Sequence, residues 1–294
     1  MRAIFRLEST VSMDTGSAGG TGVGGTKFWN RQSWVGLQLG RAGTVTLGRQ
    51  FHAAIDRTIR TFDAFAVGGS SVHVLPLGLF GVNRYAANDS RADNSVKYRL
   101  NVPGVLDFGA SVAAGEAVSG RSHSADIAHL GDRYEVAAAY VHIDALARVA
   151  ATGLLPAHSV WVVGGNATFG PIQTYLAYFD SKLDSTAASG KTQRNKIIDV
   201  GAAWTVAPPV ILKAAYYHDK GTSLNGVTGR DGTKQTLVVA GYYLLSKRTE
   251  LYATLFQNRY SDGYKVEPVN LAALNRNPAE STVSGASVGI RHSF

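Results

Sequence analysis

The 294-residue sequence contains no cysteine. This absence excludes a disulfide framework and any zinc site built from cysteine thiolates. Although 45% of the residues are hydrophobic, no run of about 18 apolar residues occurs, so the sequence offers no membrane-spanning helix. The net charge of +8 indicates an anionic partner such as lipopolysaccharide, phosphate or small anions. The basic residues are scattered rather than clustered, which argues against a nucleic-acid-binding tail.

Motifs of common catalytic and nucleotide-binding sites are also missing. The sequence has no GxSxG, HExxH or P-loop spacing, and its 8 histidines are dispersed. Residues 20–25 formally match the dinucleotide pattern GxGxxG, but no helical pattern follows them. We therefore expect a protein that is not an enzyme and that has neither a cofactor nor a metal site.

What the chain does contain is a series of short segments in which apolar residues alternate with polar or small ones. The alternation is clearest over 196–207, where Ile198 and Val200 fall on the face opposite Asp199. The end of the chain repeats the pattern and stops on Phe294. A period of two is typical of a β-strand with two different faces. An apolar face without charges suits a strand that meets lipid, as in a transmembrane barrel.

Fourteen segments are predicted as strands: 2–9, 31–40, 44–51, 95–101, 105–114, 133–142, 147–155, 159–169, 172–183, 196–207, 210–219, 233–245, 249–260 and 281–294. Short turns alternate with long polar loops, among them 117–130, which indicates an antiparallel up-and-down transmembrane β-barrel. A soluble β-sandwich would also alternate. Against it, the polar face carries isolated charges on most strands while the apolar face carries almost none, and most segments exceed the usual strand length of about five or six residues.

Six segments carry a more specific signal, since they occur in order and at family spacing: Phe5–Glu8, Arg31–Leu37, Gly43–Gln50, Asn94–Tyr98, Leu245–Tyr252 and Gly289–Phe294. Together they resemble the Gram-negative general-diffusion porins. The resemblance implies a homotrimeric channel of about sixteen strands per chain. It further implies that residues 1–294 form one barrel domain with about fourteen strands, and that the loop 52–94 folds inward as the constriction.

The beginning of the sequence departs from the family pattern, which starts two strands before Met1. The first residues alternate like the middle of a strand and contain no apolar core long enough for a secretory signal. We therefore expect a chain that has lost its signal peptide and first two strands.

Strand alternation also selects charged residues that face water inside the barrel. The basic ones are Arg2, Arg6, Lys97, Arg99, Lys213 and Arg291. The acidic ones are Glu8, Asp199 and Asp219. Because basic side chains outnumber acidic ones, this surface is expected to favour anions.

The resemblance adds an arginine cluster on the barrel wall opposite acidic groups of the infolded loop. Arg31, Arg49 and Arg91 occupy the matching wall positions, and Asp56 and Asp63 are the acids of the loop. Simple alternation would turn Arg49 outward, so a bulge near the end of its strand is required to bring it inside. A loop with so few carboxylates predicts an uncompensated positive wall and a preference for anions.

The resulting hypothesis is a passive, multi-pass outer-membrane porin for small hydrophilic solutes, with outer-membrane lipid and lipopolysaccharide as surroundings. Two alternatives remain open. A substrate-specific channel would need an aromatic track or binding ladder in its lumen. An outer-membrane barrel enzyme such as a lipase would need Ser, His and an acid side by side.

Overall fold

The computed structural model describes residues 1–11, 15–18, 20–22, 25–65, 91–115, 120–145, 156–185, 190–268, 271 and 276–292. Its strands are β1 (Arg2–Glu8), β2 (Gly20–Gly22), β3 (Gly25–Lys27), β4 (Gln32–Gln38), β5 (Thr44–Phe51), β6 (Arg91–Val102), β7 (Leu106–Ala113), β8 (Ser122–Leu130), β9 (Tyr134–Ile143), β10 (His158–Phe169), β11 (Ile172–Leu183), β12 (Gln193–Ala207), β13 (Val210–Thr222), β14 (Gly232–Leu244), β15 (Thr249–Tyr260) and β16 (Thr282–His292). The described helical segments are α1 (Ala53–Arg57), a π-helical turn (Thr58–Phe62) and three 3₁₀ turns (Gly40–Ala42, Leu224–Gly226 and Asp262–Val266).

Fourteen of these strands form one antiparallel sheet that begins with β1 and β4 and then follows chain order to β16. The small β2–β3 hairpin stands apart from that sheet. Long connections lie at one end of the strands and short ones at the other, as between β12 and β13 or between β14 and β15. This up-and-down topology confirms the predicted fold class. None of the described helices is long and apolar enough to cross a membrane, which says nothing about crossing by β-strands.

The two faces of the sheet differ as the alternation predicts. On β12, Ile198 and Val200 are 46% and 48% exposed, whereas their neighbours Ile197 and Asp199, which point to the other face, are fully buried. The same holds on β13, where Leu212 is exposed and Tyr217 is buried. We call the face with the exposed apolar residues the outward face and the opposite one the inward face. Aliphatic side chains that stay exposed on one whole face are typical of a lipid-facing surface.

One predicted loop is wrong. Residues 122–130, which lie within the predicted loop 117–130, form β8 and pair with both β7 and β9. The prediction failed because the outward face of this strand carries His123 and His129, which give it little apolar contrast. The predicted strand 147–155 lies outside the described residues.

Candidate functional site

After β5 the chain turns onto the inward face and runs across it. We call residues 52–65 the crossing segment; it contains α1 and the π-helical turn. Phe62, Ala64 and Phe65 are fully buried against the inward face, in one apolar cluster with residues of β8 to β14. Side chains of the surrounding sheet thereby fix the crossing segment.

Two serine hydroxyls hold the first turn of α1. The N–H of Ala53 donates to Ser111 Oγ of β7 over 3.1 Å, and the N–H of Ala54 donates to Ser124 Oγ of β8 over 2.9 Å. The first N–H groups of a helix have no partner within the helix, so these hydroxyls satisfy donors that would otherwise be buried unpaired. The sheet therefore caps the helix.

The other end of the crossing segment is bound to β13. Lys213 Nζ donates to the carbonyl of Ala64 over 2.8 Å. The hydroxyl of Tyr217 donates to Asp63 Oδ1 over 2.7 Å, and the same oxygen accepts the N–H of Phe65 at 2.9 Å. The crossing segment thus reaches from β7 to β13 over the inward face.

Arg57 is the main ionic anchor of this segment. Its guanidinium contacts three carboxylates of the sheet: Asp107 at 2.6 Å, Asp126 at 2.9 Å and Glu135 at 2.5 Å. The arginine side chain is only 2% exposed. Because a planar guanidinium donates in several fixed directions, one arginine can join β7, β8 and β9 at a single point.

Further cations complete this buried network. Arg99 contacts Asp107 at 2.5 Å and Asp126 at 3.0 Å, and Lys97 contacts Asp56 of α1 at 2.5 Å. Arg60 lies 3.7 Å from Asp107 and remains 46% exposed. With Arg57 and Glu135 the network holds four basic and four acidic side chains, so its formal charge is zero. We call these eight residues the anchor network.

His52 begins the crossing segment and is almost fully buried. Burial lowers the pKa of its imidazole to about 4, and the nearby positive charge of Lys97 acts in the same direction. The ring is therefore neutral near pH 7.

A second charged group lies where β1, β4, β5 and β6 meet the long loops. It comprises Arg6, Glu8, Lys27, Arg31, Arg49, Arg91 and Asp93, and we call it the rim cluster. Its five cations and two carboxylates leave an excess of three positive charges. The anchor network is neutral, whereas the rim cluster is not.

Within the rim cluster, Glu8 accepts from Arg31 Nε at 2.5 Å and from Gln32 at 2.7 Å, and it lies 3.0 Å from Arg6. Arg91 stacks over the ring of Phe51, with its guanidinium carbon 4.1 Å from the ring centre. Its charge also interacts with those of Arg31 and Arg49 and with the opposite charge of Glu8. The ring of Phe51 thus helps to hold the guanidinium of Arg91 in the rim cluster.

Arg49 lies beside a bulge, which falls on β6 rather than on its own strand, because Asp93 and Asn94 oppose Arg49 alone. The β5–β6 register shifts between Gly48 and Gln50, and Gly48 has a φ of 128°, which favours glycine. The guanidinium of Arg49 contacts Asp93 at 2.9 Å and donates to the carbonyl of Asn30 at 2.8 Å. Asp93 also binds Lys27. Arg49 is thus positioned in the rim cluster by Asp93, which lies on the bulge of β6, and by the carbonyl of Asn30.

The structure therefore divides the nine predicted site residues into three places. Lys97, Arg99 and Asp56 belong to the anchor network, whereas Asp63 lies at the far end of the crossing segment, which Lys213 binds. The remaining four, Arg6, Arg31, Arg49 and Arg91, form the rim cluster. Of the other residues predicted to face inward, Arg2 is exposed on β1, Arg291 lies 2.9 Å from Glu250, and Asp199 and Asp219 are fully buried.

Sequence reasoning missed Arg57 and its three carboxylate partners. Asp107, Asp126 and Glu135 lie at inward positions of β7, β8 and β9, so the alternation could have selected them. Asp126 escapes selection because the sequence predicts a loop over 117–130, where the structure has β8. The expectation that acids are few on the inward wall is therefore wrong around α1.

A polar cavity of about 390 Å³ adjoins the anchor network on the inward side. Its lining includes Trp34, Thr44, Arg60 and Asn101. Among the residues that the structure describes, no three His, Asp or Glu side chains are arranged to hold a metal ion. This arrangement of hydroxyl, amide, indole and charged groups can hydrate or bind a polar solute, and it contains no evident nucleophile–base pair.

Known porins are similar to this chain in sequence pattern and in fold. The family model of Gram-negative porins covers residues 1–263. Among solved structures, the anion-selective porin from Comamonas acidovorans superposes with a TM-score of 0.72 at 20% identity, over 99% of this chain and 84% of that one. Outer-membrane expressed OmpT of Vibrio cholerae gives 0.66 at 17% identity, over 89% and 80%. Salmonella typhi OmpF gives 0.61 at 15% identity, over 89% and 77%.

No curated protein sequence matches the chain. The family model nevertheless covers most of its length, and the fold of the solved porins covers nearly all of it. The chain belongs to the Gram-negative porin family and is a multi-pass protein of the outer membrane.

Proposed function

We propose that this porin is a passive, water-filled channel for small hydrophilic solutes, without enzymatic activity, and that it prefers anions. The inward face supplies the polar path, and the crossing segment, as part of the infolded loop 52–94, narrows it. Residues 66–90 of that loop lie outside the described residues. The pore-lining residues in this proposal are Arg6, Arg31, Arg49, Asp56, Asp63, Arg91, Lys97, Arg99 and Lys213.

The rim cluster is the observation that carries the anion preference. Its excess of three positive charges lies at the long-loop end of the strands, where it attracts anions and repels cations before they reach the constriction. The anchor network contributes little to selectivity, because its positive and negative charges are equal and mostly buried. Charge selectivity is therefore assigned to the rim and narrowing to the crossing segment.

The comparisons give additional support. One solved structure with this fold is named an anion-selective porin, and another is OmpT of Vibrio cholerae in its trimer form. We propose by analogy that this chain also assembles as a homotrimer, with outer-membrane lipid and lipopolysaccharide around its outward face. Cross-linking of the detergent-solubilised protein, followed by mass determination, would test the trimer.

Reversal potentials test the anion preference. Purified channels are placed in a planar bilayer with a tenfold KCl gradient, for which an ideally selective channel would give about 59 mV. We expect a potential of the sign that indicates chloride selectivity, reduced in the double variant R31Q/R91Q. The control R133Q/R259Q removes the same charge from a short turn and from the outward face, and it should match the wild type. A cation-selective wild type would refute the proposal.

A further inference from the structure

The polar cavity beside the anchor network lies on the short-turn side of the crossing segment. Gly40 and Gly43, from the short connection between β4 and β5, line it, and so does Asn101 near the end of β6. Asp56 of α1 and Arg60 of the π-helical turn contribute the wall on the side of the crossing segment. A solute in this cavity would therefore stand next to the crossing segment, in the path through the proposed channel.

One of the basic side chains in the cavity is open to a ligand. Lys97 is bound to Asp56, and Arg99 is bound to Asp107. Arg60 differs, because its Nη1 lies 3.7 Å from Asp107, beyond hydrogen-bond distance. Among the described residues, neither Nη1 nor Nη2 of Arg60 donates a hydrogen bond, and Nε donates to the carbonyl of Asp56. The two terminal nitrogens are therefore open to a carboxylate, in the bidentate geometry that a guanidinium favours.

Other open polar atoms of the cavity accept hydrogen bonds. Asn101 donates through Nδ2 to Asp107 over 3.0 Å, and Asp56 accepts from Lys97 through Oδ2. Within the part of the chain that the structure describes, Oδ1 of Asn101, Oδ1 of Asp56 and the hydroxyl of Thr44 take part in no hydrogen bond. Amide, carboxylate and hydroxyl oxygens accept from O–H donors. The cavity thus fits a solute with several hydroxyl groups.

Trp34 supplies an apolar part of the lining. Its indole N–H donates to Gln32 Oε1 over 3.2 Å, which restrains the ring. Ile4 of β1 adjoins the same cavity. Ligand sites commonly combine aromatic and aliphatic surface with a few placed polar groups. The carbon-bound hydrogens on the face of a sugar ring are apolar and match such a surface.

Size and charge narrow the class of solute. The volume of about 390 Å³ lies near the lower end of the range of about 300–1,000 Å³ that is usual for ligand pockets, which suits a monosaccharide rather than an oligosaccharide. Three basic and two acidic side chains are among the described residues that line the cavity, so one positive charge is in excess. A single carboxylate on a ring with several hydroxyl groups meets these conditions. A plain dicarboxylate or an aromatic acid lacks the hydroxyl donors.

We propose that this cavity binds monosaccharide acids, such as hexuronates, on their way through the channel. Arg60 binds the carboxylate, while Thr44, Asp56 and Asn101 accept hydrogen bonds from the hydroxyl groups. The sugar ring lies against Trp34. This proposal rests on the proposed channel function and assigns a substrate class to one part of its lumen. A site in a pore promotes passage when it binds the solute well enough to admit it and weakly enough to release it.

Single-channel recordings in a planar bilayer measure the binding as interruptions of the KCl current. The probes are D-galacturonate, D-galactose and benzoate. D-galactose has the hydroxyl groups without the carboxylate, and benzoate has the carboxylate without the hydroxyl groups. D-galacturonate should interrupt the current at concentrations about tenfold lower than either of the others, because it alone uses Arg60 and the acceptors together.

Three variants connect the interruptions to named side chains. In R60Q the half-saturating concentration of D-galacturonate should rise roughly 10- to 100-fold, whereas that of D-galactose should change less than about twofold. T44V removes one hydroxyl and should raise the half-saturating concentrations of both sugars about 2- to 10-fold. The control R133Q removes the same charge as R60Q from a short turn outside the cavity lining and should respond like the wild type.

Several results would overturn the proposal. D-galactose or benzoate that interrupts the wild-type current as strongly as D-galacturonate would show that the cavity does not select a sugar acid. An unchanged response of R60Q to D-galacturonate, or an equal loss in R133Q, would remove the assigned role of Arg60. T44V leaves every charge in place, so an unchanged response of this variant to both sugars would contradict the assigned contacts with the hydroxyl groups.

Reversal potentials in a KCl gradient separate this proposal from that of the anion-preferring channel. A wild type that is anion-selective but shows no interruptions with D-galacturonate would refute the sugar-acid site alone. A wild type that is not anion-selective, yet responds to D-galacturonate through Arg60, would refute the anion preference alone.

Discussion

Replacement of Arg57 should release the crossing segment and widen the channel. Its guanidinium is buried and contacts carboxylates on three neighbouring strands at 2.5–2.9 Å. Arg57→Met keeps much of the apolar volume but removes the charge and every one of these contacts. The anchor network then holds four acidic side chains against three basic ones, in a place from which water is largely excluded.

The size of the effect follows from this burial. Removal of one partner from a buried ion pair costs about 3–5 kcal/mol, because the other charge remains without compensation. Arg99 still contacts Asp107 and Asp126, which moderates the loss, so we expect about 3 kcal/mol. Arg57→Lys keeps the charge but cannot contact three carboxylates in fixed directions, and its effect should be intermediate.

Single-channel conductance in a planar bilayer measures the width, and thermal unfolding measures the stability. We expect a higher conductance and a lower unfolding temperature for Arg57→Met, with Arg133→Met on a short turn as a control without either effect. The reasoning would be refuted by a variant that unfolds at the wild-type temperature and conducts like the wild type. A loss of stability without a rise in conductance would mean that the crossing segment does not limit the current.

Three further changes probe the same region. The pKa of His52 is about 4 in the folded protein and 6.5 in the unfolded chain. Above pH 6.5 the free energy of unfolding is therefore unaffected by this histidine, and it falls by up to about 3 kcal/mol as the pH drops to 4. The wild type should show this loss in pH-dependent unfolding, whereas His52→Asn should not. Tyr217→Phe leaves the carboxylate of Asp63 with one hydrogen-bond donor fewer. The free energy of unfolding, measured with denaturant, should fall by about 1–3 kcal/mol. An unchanged denaturation midpoint would contradict this contact. In Gly48→Ala the new methyl group would overlap a carbonyl of β4, at a φ that alanine rarely adopts. Because this change would displace Arg49, reversal potentials should shift toward lower anion selectivity. A reversal potential equal to that of the wild type would show that the backbone at Gly48 does not position the charge of Arg49.

Most of the fold can be predicted from the sequence because one face of each strand is apolar and the opposite face is polar. The prediction of 196–207 was close to β12, since Ile198 and Val200 mark the outward face clearly. It failed at β8, whose outward face includes His123 and His129 beside Ala125 and Ile127. Periodicity identifies a strand only when the two faces differ in polarity.

The site was less predictable because it depends on contacts between distant parts of the chain. Arg57 contacts carboxylates that follow it in the sequence by 50, 69 and 78 positions, and no local sequence pattern predicts contacts over such separations. Alternation did place Lys97 and Arg99 on the inward face. The alternation does not reveal that Asp107 and Asp126 neutralise the charge of Arg99. The excess of positive charge lies in the rim cluster instead.

The assignment of the two faces can be tested by single cysteines, since the chain has none of its own. Thr44 lines the polar cavity on the inward side of β5, and Leu47 on the same strand is 50% exposed on the outward face. In bilayer-embedded channels, a charged, water-soluble thiol reagent should modify T44C and lower its conductance while leaving L47C unmodified. Rapid modification of L47C together with protection of T44C would place water on the wrong face of the sheet and contradict the entire assignment.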